Sequence, residues 1–146
     1  MTRVDFYIVP EGSADSGPVT AARLCDKVAL QGLRIYVHAP GAQQQEELDS
    51  LLWTQRQGSF VAHEPWTGKA TGEPLPYVYI GAAADAEPPA SHHGVLMNLS
   101  DEVPLFFSRF ERVCEFVAGD AAQRARSRER YKFYRDRGYE LKTHNL

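Results

Sequence analysis

The chain has 146 residues, 43% of them apolar and 24% charged, with 16 Lys and Arg against 19 Asp and Glu for a net charge of −3. That length fits one domain, 1–146, with a core of its own, and the acidic total argues against general nucleic-acid binding. No apolar run approaches the roughly 20 residues that span a bilayer, and MTRVDFYIVP lacks a signal-peptide layout, so a cytoplasmic protein with no membrane partner is expected.

Val4–Val9 (VDFYIV) is β-branched, aromatic and nearly all apolar, which suits a strand buried on both faces of a parallel sheet. A Gly- and Ser-rich loop follows. Thr20 to Leu30 reads as a helix, with Ala21, Leu24, Val28 and Cys25 inward and Gly32 closing it. Ile35–His38 is a second strand, and Gln43–Trp53 a second helix with Leu48, Leu51 and Leu52 as its apolar side. This β-α-β-α opening predicts an α/β fold with a mostly parallel central sheet flanked by helices.

Further along, Ser59–His63 reads as a short or edge strand, Tyr77–Gly81 as a third good strand and Val95–Leu99 as a fourth. The segments 64–76 and 82–93 are Pro-rich loops. Pro104–Val113 fits a helix opened by its proline, and Glu115–Val117 a last short strand.

The segment from Asp120 to Gly138 then reads as a helix with a good N-cap and a good glycine stop. It carries seven basic residues against three acidic ones, about +4, so the rest of the chain carries −7. At 100° per residue, Arg124, Arg128, Tyr131 and Arg135 share one narrow face, and Arg126, Arg130 and Arg137 another. Ala121, Ala122, Ala125 and Phe133 are the expected stripe against the core. Three guanidinium groups around a phenol ring suit a carboxylate ligand. The same pattern also fits a solvated basic face.

Chemistry is harder to find. There is no GxGxxG after Val4–Val9 and no GxxxxGK[ST], since Gly68-Lys69 is followed by Ala70. His92-His93 is expected in a solvated loop rather than at a metal. Cys25 and Cys114 are far apart without a CxxC partner, which predicts two inert buried thiols. No catalytic residue, metal ligand or cofactor is identified. Trp53 and Phe60 bracket the end of the second helix and fit either core or an exposed aromatic patch at a partner interface.

Three segments together, the DFYIV strand, LDSLLWTQRQGSFVAHE (Leu48–Glu64) and RERYKFYRDRGYELKT (Arg128–Thr143), resemble the chi subunit family of bacterial DNA polymerase III holoenzyme. The resemblance runs nearly end to end and is weakest in the two Pro-rich loops. It implies a mononucleotide-binding-like topology that binds no nucleotide. It also implies a non-catalytic accessory role within the clamp-loader part of a DNA-directed DNA polymerase (nucleotidyltransferase) complex. The family's partners are the psi subunit and the acidic C-terminal tail of the single-stranded-DNA-binding protein, commonly ending Asp-Phe-Pro-Phe, so DNA is met only indirectly. Carried over by motif, the tail-binding positions are Val117, Arg124, Arg128, Tyr131 and Lys132. Arg124 and Arg128 would take the carboxylates, Val117 and Tyr131 would shape the pocket for the terminal Phe, and Lys132 would attract the upstream acids. Some relatives carry Lys at the Arg124 position. Trp53 and Phe60 match the side that binds psi, where some bacteria also bind a helicase-related protein. Ala62 stands where relatives can have Pro, and the final His-Asn-Leu differs from relatives ending in an aromatic. The competing readings are a nucleic-acid binder using the basic helix, tested by salt-steep binding to bare single strands, and a small nucleotide-dependent enzyme, tested by calorimetry.

Overall fold

A computed structural model describes residues 1–54, 61–70 and 72–146. Among these, seven strands form one sheet in which every pairing is parallel. In chain order the elements are β1 (Arg3–Ile8), α1 (Gly17–Leu30), β2 (Ile35–His38), α2 (Ala42–Thr54), β3 (His63–Pro65), β4 (Val78–Gly81), β5 (Val95–Asn98), β6 (Arg112–Val117), α3 (Ala121–Asp136) and β7 (Glu140–Asn145). The sheet order is β3-β4-β2-β5-β6-β1-β7, which leaves β3 and β7 as its edges.

Each central strand is buried along nearly its whole length because both sheet faces are covered. One core cluster joins α1 and α2 to the sheet through Ala21, Cys25, Val28, Leu48 and Leu52 against Val37, Met97 and Phe116. The other lies beneath α3 and includes Val4, Phe6, Tyr36, Tyr79, Leu96, Phe110, Val113 and Tyr134. Both cysteines are fully buried thiols, as the sequence led us to expect, and Cys25 Sγ rests 3.5 Å from Met97 Sδ. Burial pushes the Cys114 thiol up to about 12, so it stays protonated near neutral pH.

Helix α1 begins three residues earlier than expected. Ser16 caps it by accepting from the Val19 amide, and Pro18 sits in the first turn. Two expectations fail outright, and one strand was not anticipated. Pro104–Val113 is not a helix: only a 3-10 turn forms at Phe107–Arg109, and β6 already starts at Arg112. Its aromatic residues instead go under the sheet, with Phe106 and Phe110 packed on Tyr36. The backbone of 112–117 finds hydrogen-bonding partners on both sides, β5 and β1, which an isolated helical turn would forfeit. The C-terminal segment forms the unanticipated strand β7. Its pattern, exposed at Glu140, Lys142 and Thr143, is that of a sheet edge, without the apolar run that marks a central strand. Finally, His92 is not solvated. It is fully buried, with Nε2 2.7 Å from the Pro76 carbonyl and its ring against Tyr79, and burial lowers its pKa.

The expected strand at Ser59–His63 falls partly on residues 59 and 60, outside the described residues. His63 is the first residue of β3.

Candidate protein-binding faces

The basic face is built where β6 hands the chain to α3. Gly119 turns the backbone with φ +85°, and a Cβ there would run into the Gln123 side chain. Gln123 must be there because it completes a reciprocal cap: Asp120 accepts from the Gln123 amide at 2.9 Å, and the Gln123 side chain accepts from the Asp120 amide at 2.9 Å. Sixteen helical residues follow, and Gly138, at φ +79°, releases the chain into β7.

The rotation of α3 differs from the expected one. Ala121 and Ala122 are exposed and Ala125 and Phe133 only half-buried. The residues turned to the sheet are Ser127, Arg130 and Tyr134. Arg130, read from the sequence as part of a second basic face, is only 7% exposed. The cause is Glu115 on β6, fully buried on the same side of the sheet. It accepts from Arg130 Nε at 2.9 Å, Tyr134 hydroxyl at 2.7 Å and Asn98 Nδ2 at 2.9 Å. A buried carboxylate needs such partners, and they outweigh the alanine stripe in setting the helix's rotation. Burial still pushes the Glu115 carboxyl up from the usual range, against the pull of Arg130, Asn98 and Tyr134. Of the other members of that second face, Arg126 is exposed and Arg137 stacks 3.6 Å over the Phe133 ring.

With Arg130 turned inward, the remaining face points toward β1 and β7. The Tyr131 ring lies edge-on to Phe6 of β1 at 5.1 Å. Arg124, half-buried, donates to the Gly119 carbonyl at 3.1 Å and to the Pro10 carbonyl just past β1 at 3.4 Å. Arg128 and Lys132 are exposed, and neither makes a hydrogen bond or ion pair among the described residues. Arg135 is also exposed but pairs with Asp136. Val117, half-buried at the end of β6, shares with Tyr131 the packing above the second core cluster. Its register partner on β1 is Ile8, whose partner on β7 is Asn145. The five residues carried over by motif therefore share one region: an apolar floor at the strand ends, a phenol ring, one braced guanidinium and two cations free to meet an anion.

The second face is at the other edge. Trp53, near the end of α2, is 57% exposed and touches His63 of β3 edge-on at 5.4 Å. His63 in turn meets Asp49 at 2.9 Å and the Val61 carbonyl at 2.7 Å. Phe60, the other residue assigned to this side, lies outside the described residues. His63 was missed as a member of the patch; its only signal was its closeness in sequence to Phe60.

Where a parallel α/β sheet would hold a nucleotide, beyond the carboxyl ends of β5 and β6, there is a cleft of ≈ 240 Å³. Ser16, Glu47, Asn98, Gln123 and Arg130 help to line it. The start of α1 faces it, but the Ser16 hydroxyl there donates to the Glu47 carboxylate at 2.9 Å. The chain thus sets its own anion beside the helix N-terminus, which opposes a phosphate by charge. Among the described residues no group of three or more His, Cys, Asp or Glu gathers at metal-binding distance, and no helix is long and apolar enough to cross a membrane.

A seven-stranded parallel sheet with helices on both faces places this chain among the mononucleotide-binding-like α/β proteins. The crystal structure of T4 UvsW shares that fold over 99% of this chain and 42% of its own, with a TM-score of 0.64 at 10% identity. Residues 1–142 match the family described as DNA polymerase III chi subunit, HolC. The DNA polymerase III subunit chi of Pseudomonas aeruginosa is 37% identical over 146 residues, covering 100% of this chain and 98% of the relative. That of Haemophilus influenzae is 30% identical over 97% of this chain and 95% of its own, and that of Escherichia coli 26% identical over 98% and 97%. The chain belongs to the DNA polymerase III chi subunit family, whose members are replication accessory subunits.

Proposed function

We propose that this chain is a non-catalytic adaptor of the replicative polymerase. In this reading it holds the psi subunit at the Trp53 face and the acidic C-terminal tail of the single-stranded-DNA-binding protein at the α3 face. The observation that carries it is the position of the two faces. Trp53 meets β3 at one edge of the sheet, and the basic face overhangs β1 and β7 at the other, so two partners fit without competing. At the tail site, Arg128 and Lys132 are exposed cations without internal partners among the described residues, on the helix whose Tyr131 packs with Val117 on the second core cluster. A tail ending in an apolar ring and a carboxylate needs those two chemistries side by side. Clamp-loader association, a helicase-related alternative at the Trp53 face and a cytoplasmic setting belong to the same proposal.

Fluorescence anisotropy of a labelled peptide ending Asp-Phe-Pro-Phe tests the tail site. Saturable binding on the order of micromolar is expected, weakening with salt. Arg128→Ala should lose about tenfold or more, roughly 1.4 kcal/mol. Wild-type protein that ignores the peptide, or Arg128→Ala that binds as well as wild type, refutes the site. Salt-steep binding to bare single-stranded DNA would point to the basic helix as a direct nucleic-acid contact.

A further inference from the structure

We propose that Glu115 and Arg130 are positioning residues for the tail site, acting through the rotation of α3; this rests on the function proposed above. The pair is interior: Glu115 is fully buried, and Arg130, 7% exposed, reaches only the cleft beyond β5 and β6. Yet Arg130 lies in the same turn of α3 as Arg128 and Tyr131, and Glu115 is two residues before Val117 on the same side of β6. Every nitrogen of the Arg130 guanidinium is committed: Nε to Glu115 at 2.9 Å, Nη1 to the Asp101 carbonyl at 3.1 Å, Nη2 to the Ser127 hydroxyl at 3.1 Å. Tyr134, one turn on, donates to the other Glu115 oxygen at 2.7 Å, which Asn98 of β5 also approaches. Planar forks and buried carboxylates accept few geometries, so these bonds specify one angle of the helix about its axis.

The alternative angle is written in the sequence. The alanine stripe Ala121, Ala122, Ala125 would satisfy hydrophobic burial with α3 turned differently, carrying Tyr131 off Phe6 and turning Arg128 with it. An apolar stripe of alanines discriminates weakly between angles, because each methyl fits many holes. The buried pair discriminates sharply, because a wrong angle leaves a carboxylate without its partners. The ion pair therefore gives orientation to the face.

The test compares Glu115→Gln/Arg130→Met, which removes both charges together and leaves no orphaned ion, with Val28→Ala, a cavity in the opposite core cluster. Tyr134→Phe is a third, milder variant that removes one donor and keeps its ring. Peptide anisotropy is measured at a temperature where all three are folded by circular dichroism. The double variant should bind the Asp-Phe-Pro-Phe peptide at least fivefold more weakly, Tyr134→Phe about twofold, and Val28→Ala as wild type even where its melting point falls further. Adding Arg128→Ala to the double variant should cost less than it does in wild type, because the guanidinium is no longer aimed. Independently of any peptide, the nuclear Overhauser contact between the Tyr131 and Phe6 rings should weaken in the double variant and persist in Val28→Ala. A double variant with wild-type affinity and an intact Tyr131–Phe6 contact overturns the positioning role. Wild-type protein without peptide binding overturns the tail site itself, whatever the variants do.

Discussion

Asp5 gathers basic side chains from three strands. Its carboxylate, 1% exposed on β1, meets Arg112 of β6 at 2.8 Å, His144 of β7 at 3.1 Å and Arg3 at 3.4 Å. Burial alone would raise its pKa, but the hydrogen bonds from His144 and Arg112 and the charges of Arg112 and Arg3 bring it below the ordinary 3.8. A depressed acid adds stability above its unfolded value and loses it as pH falls through the folded one. The cluster therefore supports the fold at neutral pH and fails in acid, below 3.8. Asp5→Asn should cost about 3 kcal/mol at pH 7, as expected for a broken buried pair. The gap from wild type in denaturant titrations should narrow as the pH approaches 3; a gap constant with pH would mean that packing, not charge, carries the effect. Glu115 shows the opposite direction. Burial outweighs the pull of Arg130, Asn98 and Tyr134 and leaves its carboxyl above the usual range.

At the scale of elements, α3 shows how much local signal can be right while the face is wrong. Its ends were legible because capping is local chemistry: Asp120 at the start and Gly138 at the stop are readable from residue type, and the structure adds Gln123 to the cap. Asp120→Ala removes the side-chain bond to the Gln123 amide, keeps the backbone N–H that Gln123 accepts from, and should cost about 1 kcal/mol, with fraying in the turn that carries Arg124. Thermal melts and amide exchange at residues 121–124 measure this, and unchanged exchange there would show that the β6–α3 turn holds the helix start without its cap. The inward side of α3 was not legible, because it depends on Glu115, fifteen residues before Arg130 and on another element. A polar residue at helical spacing looks like a solvent face unless its partner is known. The 104–113 segment failed for the same reason. FFSRF has helical spacing, and only the empty slot between β5 and β1 makes the following residues a strand.

For the whole molecule, the edges decide what is available to partners. β1 would itself be an edge if β7 did not pair along its full length, from Arg3–Glu140 to Ile8–Asn145. Removing residues 139–146 should expose that edge, strip Tyr139 and Leu141 from the core beneath α3, and release His144 from Asp5. The expected result is a lower melting point, by several degrees, and concentration-dependent light scattering. A truncated protein that stays monomeric and melts with the full chain would show that β7 is only an accessory to the sheet.

The sequence by itself determined the central strands, the three helices and the basic character of α3, because continuous apolar runs, capping residues and charge are properties of neighbouring residues. Through the resemblance of its motifs it also pointed to the right family. Only the tertiary structure decided that the strand read at 115–117 starts at 112 and that 140–145 is a sheet edge. The same holds for the burial of His92 and for the placing of Arg130 inside the protein while Arg128 remains outside. Each of those depends on satisfying a buried polar group or an open strand edge with a partner distant in sequence, and that pairing exists only once the chain has folded.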